Sequence, residues 1–212
     1  WNPDTSVIAR PDYAEQAIDI IDFALRENTF DLIVLDSIAA LTPTKEVTDS
    51  AEDWQMGLAA RLVNKAMRKW SSSLNKTSQE FSRGGPFLLC LNQIREKLGV
   101  MYGDPRVLPG GKGQLFASSL ILWTKSAKVL DDPDSKASAF VTMGGVAKKN
   151  KTFIPNREYA FQLALTDTSE YLVGDIDNDK TIVKFGKKYG VLNRDSGFGC
   201  EEFRDRTEDL FR

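Results

Sequence analysis

The chain has 212 residues, of which 42% are hydrophobic and 27% charged, with a formal net charge of −2. These values are typical of a globular protein with one sizeable core, and no apolar stretch is long enough to predict a membrane span. The sequence contains no histidine, which excludes histidine-based catalytic triads and zinc sites with histidine ligands. Two cysteines cannot form a disulfide framework, so we expect a reducing, cytoplasmic setting and no membrane partner.

Positive charge is concentrated in the middle of the chain. Residues 61–125 contain eleven Lys or Arg and three Asp or Glu, whereas the other residues contain 17 basic and 27 acidic side chains. A basic segment between acidic flanks favours a polyanionic partner that contacts one region. Uneven surface charge without a partner is the alternative interpretation.

Helices and strands alternate through the first half of the sequence. Residues 6–9 resemble the end of a strand, and apolar spacing predicts a helix over 12–26. An apolar run ending in an acid, over 31–36, predicts a parallel strand buried on both faces. A long amphipathic helix over about 55–78 and strands over 87–91 and 118–124 follow. This alternation predicts an α/β fold with a mostly parallel central sheet.

Shorter strands separated by turns are predicted in the second half, over 139–147, 159–165 and 171–176. They indicate a C-terminal β-hairpin region, and the charged residues 201–212 predict a surface helix. We expect one core domain over 1–170, with 171–212 forming its end and the start of a small C-terminal region. Because the chain opens on Trp1 in the middle of a pattern, we expect a fragment without its N-terminal part.

Two neighbouring strands are each followed by a polar residue that could bind a ligand. Asp36 follows the first strand, where α/β sheets place their ligands and where a carboxylate could hold Mg²⁺. Gln93 follows the next strand, and its amide could sense a terminal phosphate or orient water. Either side chain could instead cap a turn.

The segment after the second strand is long for a compact domain, which indicates a functional or disordered loop. It combines glycines, which allow close backbone approach, with apolar residues that could insert between bases. Its cations, which could neutralise phosphates, are Arg95, Lys97, Arg106 and Lys112. The basic residues 148–151 could also supply cations to a phosphate, or form a solvated turn.

Together these segments resemble the RecA family of DNA recombinases. The family's Mg²⁺-site strand is similar to LIVLDSIAALTP, and the helix after its first DNA-binding loop is similar to QMGLAARLVNKAMRKW. Its phosphate-sensing glutamine, second DNA-binding loop and following helix are similar to LNQIREKLGVMYGDP and GGKGQLFASS. KKNK resembles a lysine pair that reaches an adjacent subunit's nucleotide. The resemblance covers roughly residues 5–195 and suggests a distant branch of the family, such as a phage-encoded one.

The resemblance implies a RecA-like P-loop NTPase core that uses ATP and Mg²⁺. The parent protein would form filaments on single-stranded DNA, pair that strand with a homologous duplex and act in DNA repair. Asp36 would hold the metal, and Ser37 and Gln93 would contact the nucleotide, with Gln93 as the catalytic sensor. Lys149 and Lys151 would complete a neighbouring subunit's ATP site, and Phe116 would pack across the subunit interface.

The resemblance also implies two DNA-binding loops, over about 44–56 and 94–113. Both loops, together with the helix between them, would face the same DNA path. The residues expected to line that path are Met56, Gly57, Arg61, Asn64, Arg68, Arg95, Lys97, Leu98, Gly110, Gly111 and Lys112.

The sequence departs from the family pattern in one important respect. The phosphate-cradling motif G-x-x-x-x-G-K-[ST] occurs nowhere in the 212 residues, and the family's catalytic glutamate precedes the matching region. We therefore expect the P-loop strand to be absent and this chain alone to be inactive, although its parent would be a DNA-dependent ATPase. The alternative is a non-catalytic protein that binds single-stranded DNA or regulates filaments after losing ATP hydrolysis.

Overall fold

The computed structural model describes residues 3–48, 57–82, 84–96, 99, 102–103, 105–130, 140–168, 171–178 and 182. The chain forms two compact units, Trp1–Ser118 and Ser119–Arg212. Within the described residues, no helix combines the length and apolarity needed to cross a membrane. The proposed domain boundary near residue 170 stays a prediction.

Two long helices dominate the first unit. They are α1 (Ala14–Glu27) and α3 (Leu58–Glu80), with the short α2 (Thr44–Thr48) between them. The helix α1 ends at Asn28, whose left-handed φ of 50° gives the chain a sharp exit. Both long helices are confirmed within a few residues of their predicted ends. The first predicted loop begins with α2, and the predicted strand end over 6–9 is wrong because that backbone forms no strand.

The core of the first unit lies between α1 and α3. The cluster is formed by Ile18, Ile21, Leu25, Ile38, Val63, Ala66, Met67 and Trp70. Polar groups within this interface have partners: the Trp70 indole N–H donates to the Ile18 carbonyl at 3.2 Å, and the Thr77 hydroxyl donates to the Leu25 carbonyl at 2.9 Å. Burying these groups therefore leaves no hydrogen-bond deficit at the helix contact.

Two parallel strands pack on this helical layer. They are β1 (Leu32–Leu35) and β2 (Phe87–Cys90), paired from Leu32 with Phe87 to Leu35 with Cys90. Ile33, Leu35, Leu88 and Cys90 contact the core cluster. The opposite face leaves Leu32 54% and Val34 51% exposed. The prediction that this strand is buried on both faces is therefore wrong, because the helices cover one face of the pair.

After β2 the chain forms a small hairpin and a short helix. The strands β3 (Arg95–Glu96) and β4 (Arg106–Val107) pair antiparallel, and α4 (Gly113–Ala117) follows.

The second unit is an antiparallel sheet in the order β5-β6-β7-β8. Its strands are β5 (Leu120–Leu130), β6 (Phe140–Asn150), β7 (Arg157–Ala164) and β8 (Ile176–Asp177). The strand predicted over 118–124 therefore exists, but it pairs antiparallel with β6. Among the described residues, the expected central parallel sheet is represented by the β1–β2 pair alone.

The last predicted strand is shorter than expected. Residues 171–175 form a turn in which the Asp175 N–H donates to the Leu172 carbonyl at 3.0 Å, and Gly174 has a φ of 94°. Only Ile176–Asp177 join the sheet. The helix predicted over 201–212 lies outside the described residues.

Candidate functional site

The ends of β1 and β2 form one edge of the first unit. Because the strands are parallel, the residues that follow them, Asp36 and Gln93, emerge at the same edge. The Leu91 N–H donates to the Leu35 carbonyl and the Ile38 N–H donates to the Leu91 carbonyl, both at 2.9 Å. These bonds hold the two exit segments side by side. The peptide bond between Asp36 and Ser37 is cis.

The side chains at this edge differ in their access to solvent. Asp36 and Gln93 are exposed, whereas Ser37 is only 8% exposed. Cys90, at the end of β2, is partly buried. Burial raises the pKa of its thiol to about 11, so the thiol is neutral at physiological pH.

The metal-binding capacity of the edge rests on Asp36. Among the described residues, no group of three or more Asp, Glu, Cys or His side chains could hold a metal ion. Mg²⁺ bound at Asp36 would therefore take its further ligands from outside such a cluster, for example from water and phosphate oxygens, an arrangement that Mg²⁺ commonly adopts.

The segment 94–113, called the arm from here on, leaves the edge directly after Gln93. At its base β3 pairs with β4, with Arg95 opposite Val107 and Glu96 opposite Arg106. Both arginines are exposed, so the arm base presents cations to solvent. The predicted DNA-binding residues Lys97 and Leu98 lie outside the described residues.

The arm returns to the core through a glycine turn. Gly110 and Gly111 have φ values of 84° and 76°, a region that disfavours other residues. A Cβ on Gly110 would lie 2.9 Å from Ile38 Cγ2 and 3.0 Å from Val63 Cγ1, and one on Gly111 would lie 3.3 Å from the Ala60 Cβ. The two glycines are therefore required by packing between the end of β1 and the helix α3.

The helix α3 carries the other predicted DNA-binding residues. Gly57 caps its start with a φ of 85°, and Arg61 and Arg68 are exposed seven residues apart on one side of the helix. Asn64 instead lies against Gly113, and its buried Oδ1 has no hydrogen-bond partner in the described structure. The predicted role of Asn64 in DNA binding stays a prediction. Met56 lies outside the described residues.

Two side-chain amides connect the edge to the glycine turn. Asn92 Nδ2 donates to Gln114 Oε1 at 2.8 Å and to the Pro109 carbonyl at 3.1 Å. Gln114 Nε2 donates to the carbonyls of Pro109 at 2.6 Å and Gly111 at 2.9 Å. Sequence reasoning did not single out Gln114; a polar residue in the apolar stretch GQLFA was the available signal, and it indicates no particular partner.

The remaining predicted residues are distributed over both units. Lys112 precedes α4, and Phe116, within that helix, is 75% exposed. In the second unit, Lys149 is half-buried near the end of β6, and Lys151 follows the strand and is exposed. The structure thus brings Asp36, Ser37 and Gln93 together at one edge. A joint role with the two lysines stays a prediction.

Comparisons with known proteins show the family of this chain. Residues 2–168 match the family model described as the RecA N-terminal domain. Protein RecA of Fusobacterium nucleatum is 35% identical over 209 residues, which are 97% of this chain and 53% of that protein. Protein RecA of Oceanobacillus iheyensis is 36% identical over 213 residues, covering 98% of this chain and 58% of that protein. The chain spans about half the length of the curated relatives it matches, and it belongs to the RecA family.

Proposed function

We propose that this chain is the part of a DNA recombinase that couples ATP to the binding of single-stranded DNA. The observation that carries the proposal is the shared edge of β1 and β2, where Asp36 and Gln93 emerge together and the arm begins at the next residue, Ile94. A residue that contacts the terminal phosphate of ATP would there be covalently adjacent to a cationic arm. Phosphate contact could then alter the arm's affinity for DNA.

The nucleotide would be held at this edge as Mg-ATP, which supplies the transferable phosphoryl group when it is bound. Asp36 would hold the metal through water, Ser37 would contact the nucleotide, and the Gln93 amide would hydrogen-bond to the terminal phosphate. Lys149 and Lys151 would reach the nucleotide of an adjacent subunit. Because the 212 residues contain no P-loop motif, this chain alone would not hydrolyse ATP, whereas the complete gene product would be a DNA-dependent ATPase.

DNA would be bound by the arm and by the N-terminal half of α3, which carries Arg61 and Arg68. The exposed guanidinium groups of Arg61, Arg68 and Arg95 would contact phosphates. Tyr102, which is 92% exposed, has a ring on which a base could stack. Stacking and phosphate contacts are sequence-tolerant, as binding to any single strand requires.

The complete protein would assemble into a filament on single-stranded DNA, pair that strand with a homologous duplex, and act in DNA repair in a bacterial cytoplasm. The exposure of Phe116, at 75%, supports a role for this side chain in contacts between subunits. Residues 1–170 would form the core of each subunit and 171–212 the start of a small C-terminal region.

The proposal is tested by Gln93→Ala in the complete gene product. The affinity for a labelled oligo(dT) is measured by fluorescence anisotropy with and without ATP and Mg²⁺. We expect ATP to change the wild-type affinity by about 5- to 150-fold, which is the usual range for coupled sites, and to change that of the variant little. The control is Gln79→Ala, which removes an exposed amide on α3 and should leave the ATP effect unchanged.

Two outcomes would contradict the proposal. Equal, ATP-independent DNA affinity in the wild type and the variant would reject coupling and favour the non-catalytic single-strand-binding alternative. Absence of affinity for single-stranded DNA in the wild type would reject the proposed function altogether.

A further inference from the structure

The side chains of Asn92 and Gln114 form a closed hydrogen-bond network. Asn92 uses both amide hydrogens, toward Pro109 and Gln114, and its Oδ1 accepts from the Gln93 N–H at 2.9 Å. Gln114 uses both of its amide hydrogens, toward the carbonyls of Pro109 and Gly111. Because each amide has donors on one side and an acceptor on the other, these partners fix the orientation of both groups.

Because the network is partly buried, the loss of one of its hydrogen bonds should be unfavourable. Gln114 is 6% exposed, so an apolar replacement would leave one Asn92 amide hydrogen and the Gly111 carbonyl without their Gln114 partner in a site with little access to water. Buried polar groups that lose a partner are costly. The network therefore favours one arrangement of the strand end relative to the glycine turn.

The network connects the end of β2 to the return end of the arm. The outgoing end of the arm is covalently attached to Gln93, whereas its return end meets the same strand end through Asn92 and Gln114. Pairing of β3 with β4 joins the two sides of the arm to each other, but it does not attach the return side to the core. The network attaches the return side to the strand end at Pro109. Pro109 immediately precedes the glycine turn, which packs on Ile38 and Val63.

We propose that the Asn92–Gln114 pair is a positioning element that transmits the nucleotide state from Gln93 to the return end of the arm. The inference rests on the proposed function, because it presumes that Gln93 responds to nucleotide. Movement of the Gln93 backbone acts on Asn92 Oδ1, and Asn92 carries that movement to the Pro109 carbonyl and Gln114. Both ends of the arm then shift together, along with the turn that contacts α3. Without the pair, the return end would follow Gln93 only through the short pairing of β3 with β4.

A purely structural bridge would behave differently. Its loss would lower stability and could weaken DNA binding, but it would weaken binding by the same factor with and without ATP. A positioning role predicts a change in the ratio of the two affinities, since coupling between sites is a free energy distinct from either binding energy.

The test uses the complete gene product carrying Gln114→Leu, which approximates the side-chain volume and removes every hydrogen bond of the Gln114 amide. A second variant, Gln114→Glu, keeps an acceptor for Asn92 but loses the donors to Pro109 and Gly111. The matched control is Gln79→Leu, the same change at an exposed position in the last turn of α3, outside the half of the helix proposed to bind DNA. For each protein, oligo(dT) affinity is measured with and without ATP and Mg²⁺, together with affinity for a fluorescent ATP analogue and the thermal melting temperature.

We expect Gln114→Leu to lower the ATP-dependent ratio of DNA affinities by about tenfold, while nucleotide affinity and DNA affinity without ATP change by less than about threefold. Gln114→Glu should give an intermediate ratio, and the control should match the wild type. A wild-type ratio retained by the folded Gln114→Leu variant would overturn the inference. A wild type in which ATP has no effect on DNA binding would instead reject the proposed function on which the inference rests.

A measurement on the wild type decides the question if neither variant folds. Hydrogen exchange at the Gln93 amide and at the amides of residues 110–114 is compared with and without ATP. We expect protection to change at both places together. A change at Gln93 with none in the glycine turn would overturn the inference.

Discussion

Acidic side chains differ in burial and in hydrogen bonding between the α1–α3 interface and the edge formed by the ends of β1 and β2. In the interface, Asp22 is 2% exposed and accepts from the Ser73 hydroxyl at 2.7 Å, with ion pairs to Arg26 at 3.1 Å and Lys69 at 3.2 Å. At the edge, Asp36 is exposed, and its carboxylate accepts no hydrogen bond from any described side chain.

This difference separates residues that stabilise the fold from residues available to a ligand. A buried carboxylate must keep its partners, because an unpaired charge in the interior is strongly unfavourable. An exposed carboxylate contributes little to stability and can accept a metal or water as a partner. Substitutions in the interface should therefore change unfolding, whereas substitutions of exposed side chains at the edge and on the arm should change binding.

The largest effect is expected for Trp70→Ala in the interface. Trp70 is 1% exposed and donates to the Ile18 carbonyl, so truncation removes a large buried ring and leaves a cavity. We expect a loss of about 3–5 kcal/mol in the free energy of unfolding, measured by urea denaturation.

The matched control for this change is Phe23→Ala on the outer side of α1. Phe23 is 59% exposed, and its truncation should cost less than about 1 kcal/mol. Equal losses for the two variants would show that the α1–α3 contact does not dominate the stability of the first unit.

The helices and strands of the interface could be predicted because their signals are local. Apolar residues at helical spacing define the inner side of α1, and continuous apolar runs define β1 and β2. The sequence also predicted that Asp36 and Gln93 share an edge, because parallel strands present their carboxyl ends together.

Three features depend on tertiary contacts that local patterns do not contain. The apolar run of β5 predicts a strand, but it does not specify antiparallel pairing with β6. The apolar run of β1 also gives no sign that Leu32 and Val34 are exposed. The amide of Gln114 finds its partner at Asn92, 22 residues away in the chain, and no local period encodes such a contact.

A second prediction compares two glycines of the arm, of which one lies in the packed turn. Gly110→Ala adds a Cβ close to Ile38 and Val63 at a positive φ, whereas Gly103 has a φ of 91° with no atom within 4 Å of an added Cβ. We expect Gly110→Ala to lower the free energy of unfolding by about 2–4 kcal/mol, from backbone strain plus overpacking. Gly103→Ala should cost about 1 kcal/mol, from strain alone. Indistinguishable urea midpoints for the two variants would mean that the turn accommodates an added methyl group at Gly110.

A third prediction concerns binding by the arm. Arg95→Ala in the complete gene product should weaken oligo(dT) binding roughly fivefold, about 1 kcal/mol, at low salt and should reduce the salt slope by about 0.7. Lys76→Ala removes an exposed cation from the distal part of α3 and should change neither quantity. The readout is anisotropy over a series of salt concentrations. An unchanged slope for Arg95→Ala would show that this guanidinium does not contact phosphate.

The smallest effect is expected at Glu15, which joins α1 to the start of α2. Burial alone would raise the pKa of Glu15 above its ordinary value of 4.5, but hydrogen bonds lower the pKa overall. The strongest of them comes from the Thr44 N–H, which donates to Glu15 Oε2 at 3.0 Å, and the Thr44 hydroxyl donates to the same oxygen at 2.8 Å. A carboxyl group with a lowered folded-state pKa stabilises the fold above its unfolded pKa, and that contribution is lost as the pH falls through the folded pKa. Because Glu15 is still partly exposed to solvent, Glu15→Gln should cost only about 0.3–0.5 kcal/mol at neutral pH. The difference from wild type should disappear as the pH falls from the ordinary value of 4.5 through the lower folded-state pKa. Urea denaturation across this range, with Glu80→Gln as an exposed control, measures the effect, and a difference independent of pH would assign it to lost packing at the start of α2.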